Sequence, residues 1–137
     1  MLTILFTGLL AAAMPQTSDT PTTSAPPPAL STLVPVAYDS DAVCAVTMTE
    51  INVRFDQMPA DKKAKYADFN SQAEKTANFY LGAATARRTT SDLALVADKA
   101  TDWVLAQPND LKANIILACM NEMPVRMRNF AAGLKSK

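Results

Sequence analysis

Histidine is absent from all 137 residues. That removes both the side chain most used as a general base near neutral pH and the commonest metal ligand. Glycine occurs only 3 times, too seldom for the many turns of a sheet-rich fold. Charge of one sign is missing too: 13 basic residues stand against 13 acidic ones. No net field therefore draws the chain to nucleic acid or to an anionic membrane. No Gly-rich phosphate loop, paired catalytic carboxylates with an orienting partner, or nucleophile beside a base stands out, so the expectation is a non-enzyme without a cofactor or metal.

The length suits one domain, and alanine, leucine, methionine and lysine, all good helix formers, are abundant. At the N-terminus, Leu2 to Leu10 is a short apolar run followed by Ala11-Ala12-Ala13. Small residues there suit signal peptidase, so residues 1–13 read as a cleavable export signal, although Met1-Leu2-Thr3 carries no Lys or Arg. The run is far shorter than the ~20 residues that span a bilayer, and no lipoprotein-type cysteine follows it. The expected location is outside the cytosol, periplasmic or extracellular, with no stable membrane insertion once the signal is removed. In such a compartment two thiols become a disulfide. With 2 cysteines in the chain, the pair is Cys44–Cys119.

Residues 14–37 are rich in Pro, Ser, Thr and Ala, with Pro26-Pro27-Pro28 in the middle. Proline blocks helix and the apolar content is low, so this segment is expected to be a disordered tether. From Tyr38 the apolar period becomes helical, and residues 38–137 form the expected domain. Asp39 or Ser40 caps a first helix reaching Met58, with the stripe Cys44, Met48, Ile51, Phe55, Met58 on one face. Pro59 opens a second helix, reaching Arg87, that buries Tyr66, Phe69, Ala73, Ala77, Tyr80 and Ala84. A third runs from Asp92 to Gln107 with Leu93, Val96, Ala100, Trp103 and Val104 inward. A fourth, capped by Asn109 or Asp110, carries Leu111, Ile115, Cys119, Met123, Met127, Phe130 and Leu134 as its core stripe. Pro124 is expected to kink or break it. The fold class is thus all-α, a small four-helix-bundle-like domain. Its first and last helices run antiparallel as neighbours, placing both cysteines on facing core stripes.

Four residues form the expected partner surface: Phe79 and Tyr80, which point in different directions so that one stays partly exposed, and Arg87 and Arg88 at a helix end. Gly82 inside a helix is read as marking a close helix approach. Met120, Met123 and Met127 beside Cys119 could serve Cu(I), but flexible methionines more often fill core gaps. Asp98 and Asp102 read as a solvated helix face.

Cys44, the phrase Phe79-Tyr80-Leu81-Gly82 and Cys119 together resemble a group of small exported two-cysteine helical proteins of alphaproteobacteria, over about Ala42 to Leu134. That resemblance implies the architecture and no assigned activity. A looser similarity is to Rap1a/Tai-type immunity proteins of type VI secretion, which are exported, helical and disulfide-bonded. It implies neutralisation of an effector by protein contact. The expectation is a protein acting through contacts with an unknown protein partner. A periplasmic stress chaperone of the acid-stress type and a small-ligand or Cu(I) carrier stand as alternatives.

Overall fold

The computed structural model describes residues 25–135. The expected signal and the first part of the expected tether lie outside the described residues. Within them the chain forms five helices: α1 (Leu30–Leu33), α2 (Ser40–Asp56), α3 (Ala60–Thr85), α4 (Thr90–Ala106) and α5 (Asn109–Lys135).

The boundaries follow from local chemistry. The Asp39 carboxylate accepts from the Ala42 N–H at 2.8 Å and caps α2. Pro59 is the N-cap of α3, ahead of Asp61 in the first turn, where an acid suits the positive end of the helix. The Thr89 hydroxyl caps α4 by accepting from the Asp92 N–H. Pro124 leaves α5 helical on both sides, so the expected break does not occur. Its missing N–H leaves only one carbonyl, that of Met120, without its helical partner.

Helix α2 is the hub, packing against α3, α4 and α5. Its first half is buried nearly all round, through Ala42, Val43, Cys44, Ala45, Thr47 and Met48, as expected of a helix with neighbours on several sides. The Thr47 hydroxyl meets its hydrogen-bonding need within the helix, donating to the Val43 carbonyl at 2.7 Å. Ile51, Ala73, Ala77, Tyr80, Ala100, Val104, Ile115 and Ile116 complete the core. Alanine on α3 lets α2 approach closely, while the bulk comes from Met48, Tyr80 and the two isoleucines.

Cys44 and Cys119 are bonded, with Cα atoms 5.8 Å apart and a sequence separation of 75. The link joins α2 to α5 inside the core, where both cysteines are inaccessible to solvent. A closed loop of that length contributes about 4 kcal/mol on the chain-entropy account.

Two expectations need correction. The folded part begins before Tyr38: Leu30 and Val34 are buried, and α1 packs on α5. Four residues cannot hold a helix alone, and Ala29 offers no side-chain cap. The Glu122 carboxylate of α5 instead accepts from the Leu30 N–H at 2.7 Å. At the other end, Met127, Phe130 and Leu134 are exposed rather than core. Helix α5 outruns its neighbours, so the stripe continues where nothing packs on it.

Candidate functional site

Two features lie outside the core. The first is a cluster of charges where the start of α2, the end of α3 and the middle of α5 meet. Asp41 is buried and takes ion pairs from Arg87 and Arg126, while Asp39 pairs with Arg88. A second Arg126 nitrogen donates to the Asp41 carboxylate at 3.3 Å. The Arg126 guanidinium also lies 5.4 Å from the centre of the Phe79 ring and 5.2 Å from that of Tyr80, within cation–π range. Partial burial pushes the Asp39 carboxyl upward, but the Ala42 N–H, Arg88 and Arg87 outweigh it and hold the group below its usual value. Hydrogen bonding to Asp41 raises Arg126 against the opposing effect of burial. Every guanidinium here is committed to a carboxylate, so the cluster works as a clasp joining three helices.

Beside it, a pocket of about 290 Å³ is lined by Tyr38, Asp39, Arg88, Val96 and Lys99. Its cations are engaged as well. Lys99 donates to the Ala37 carbonyl at 2.9 Å and lies 5.1 Å from the centre of the Tyr38 ring. Tyr38 in turn packs on Trp103 at 5.2 Å between centroids. These contacts tie the segment before α2 to α4.

The second feature is a wide apolar groove of about 590 Å³ between α2, α3 and α4. Ala45, Val46 and Val53 of α2, Leu81 of α3, and Leu93 and Ala97 of α4 form its walls. Val53 and Leu81 are each 50% exposed, an unusual cost for large aliphatic side chains grouped on one face. The groove is built by small residues. Ala42, Ala45 and Ala84 on its floor leave space that larger side chains would fill.

The expected site residues divide between these features and the core. Tyr80 is fully buried, which removes it from the expected partner surface. Its ring fills the core, its hydroxyl donates to the Cys119 carbonyl at 3.1 Å, and burial pushes its pKa up to about 12. Phe79 is half-buried, edge-on to Tyr80 at 5.1 Å between centroids. Arg87 and Arg88 are drawn into the clasp. Gly82 does not mark a close approach: a Cβ there would meet nothing within 4 Å. Met120 and Met123 pack against the core, apart from exposed Met127. Among the described residues, no group of three or more His, Cys, Asp or Glu is arranged to hold a metal ion, and no helix is long and apolar enough to cross a membrane. Asp98 and Asp102 are exposed.

Sequence reasoning missed the groove and the central place of Asp41 and Arg126. The groove had a signal: Ala42, Ala45, Val46, Thr49 and Val53 form a second helical stripe on α2 beside the cysteine stripe. Asp41 had none, because a carboxylate in a first helical turn is commonly just a dipole partner. Comparison of the chain with protein-family models, curated proteins and solved structures returned no match.

Proposed function

We propose that this protein is an exported, non-enzymatic helical module that works by binding a polypeptide in the groove between α2, α3 and α4. The groove is the observation that carries the reading. Its volume of about 590 Å³ falls in the range of built binding sites, and its walls are aliphatic with few polar groups to direct chemistry. An apolar groove between helices is the usual seat for an amphipathic helix. Export is supported by the buried disulfide, a linkage that persists in oxidising compartments, and by the sequence before residue 14. Immunity-like neutralisation of an effector and docking to an envelope component are both forms of this activity.

Site-directed photo-crosslinking tests the reading. A photoreactive residue at Val46 or Ala97 of the chain in its native cell should yield a discrete polypeptide adduct, whereas one at Lys75 on exposed α3 should not. Lipid-only adducts, or equal labelling from Lys75, would overturn it.

A further inference from the structure

The last turns of α5 carry apolar side chains that the fold does not use. Met127, Phe130 and Leu134 are 50%, 70% and 62% exposed, and Ala131 between them is exposed too. Their spacing is i, i+3, i+4 and i+7, the pattern by which a helix anchors itself in an apolar groove. Every described residue after Arg126 in this helix is exposed, so the segment projects past the bundle and no other described part of the chain covers the stripe.

Length and charge both match this tip to the groove. Nine helical residues from Met127 to Lys135 span about 14 Å and fit within the groove wall from Ala42 to Val53, which spans about 18 Å at the same rise. Beyond Glu122 the chain carries Arg126, Arg128, Lys135 and Lys137 and no acid. Helix α4, one wall of the groove, carries Asp92, Asp98 and Asp102 against Lys99 alone. Asp98 lies one turn from Ala94 of the groove lining and is exposed.

We propose that the α5 tip of one chain seats in the α2–α3–α4 groove of a second copy, giving a dimer in which the two chains exchange tips. This rests on the polypeptide-binding reading and names its occupant. Met127, Phe130 and Leu134 fill the groove, and Arg128 faces the acidic side of α4. A reciprocal exchange satisfies both grooves at once, closes the assembly and doubles the buried surface of a single insertion. The same basic amphipathic tip has one competing destination, an anionic bilayer surface.

Sedimentation of the disulfide-bonded full chain against concentration tests this. The expected result is a reversible dimer. Phe130→Asp with Leu134→Asp should give a monomer whose thermal midpoint at low concentration is unchanged, since neither side chain belongs to the core. Arg128→Glu should weaken the dimer roughly tenfold, and adding Asp98→Lys should restore it, which a purely structural effect would not do. A monomer at all concentrations, or a dimer indifferent to these substitutions, overturns the proposal. So does a Phe130-dependent affinity for vesicles containing phosphatidylglycerol without dimerisation. A groove crosslink to a different polypeptide would overturn self-association while leaving the groove's binding role intact, whereas a crosslinked species of twice the chain mass supports both.

Discussion

The Tyr80 hydroxyl donates to the Cys119 carbonyl at 3.1 Å, on the residue whose sulfur is bonded to Cys44. The two links connect α3 and α2 to the same point on α5, so three helices converge where solvent does not reach.

Removing that hydroxyl isolates its contribution. Tyr80→Phe keeps the packing and leaves a buried carbonyl with one partner fewer, at about 1 kcal/mol in urea unfolding. The wild type should also weaken in alkali. Its folded-state pKa of about 12 lies above the usual 10.0, so the stability tied to the neutral phenol is complete below pH 10 and lost as pH rises toward 12. Tyr80→Phe should flatten that part of the curve, leaving only the contributions of other groups.

Reduction should act through the unfolded chain. Cys44→Ser with Cys119→Ser is expected to lose about 4 kcal/mol from loop closure alone, a large share of the net stability of such a domain. Thermal unfolding of the oxidised chain and of the double variant measures the difference. Equal midpoints would contradict the loop-closure account.

Asp41→Asn leaves Arg126 without a carboxylate at the clasp and Arg87 with only its longer contact to Asp39 at 3.6 Å. Both guanidiniums keep partial access to water, so the cost is about 2 kcal/mol rather than that of a fully buried pair. Arg126→Met should be milder, because Arg87 still neutralises Asp41.

Acid should loosen the same clasp. The Asp39 carboxyl is held below its usual 3.8, so its contribution is present at neutral pH. It is lost as pH falls from about that value through the lower folded-state one. Asp39→Asn should remove this part of the acid slope while keeping the α2 cap, because the amide oxygen still accepts from the Ala42 N–H, so losing the charge paired with Arg88 costs no more than about 1 kcal/mol at neutral pH. Chemical denaturation across acidic pH reads both effects.

Glu122→Ala should release α1 while sparing the bundle. Amide exchange at Leu30 through Val34 is expected to accelerate by an order of magnitude or more, with protection around Ile115 unchanged.

Much of the bundle was legible because helix boundaries depend on neighbouring residues. Asp39, Pro59 and Thr89 act through caps a few residues away, and the stripe of Cys44, Met48 and Ile51 is written at helical spacing. The site was less legible because it depends on residues far apart. Asp41 meets Arg126 across 85 positions, and Leu30 meets Glu122 across 92. An apolar stripe states which face seeks cover without stating whether a neighbour is long enough to supply it. Phe130 and Leu134 share the stripe of Ile115 yet stand in the open.

The sequence by itself determined the helical class, the punctuation of the four long helices and the identity of the cysteine pair, since each follows from spacing, capping chemistry or a count of two thiols. Tertiary structure alone decided that Tyr80 is core, that Arg87 and Arg88 are clasped, and that α2, α3 and α4 leave a groove open. Those outcomes depend on which helices meet and where each one ends, and relative position in space is fixed by packing the whole chain together.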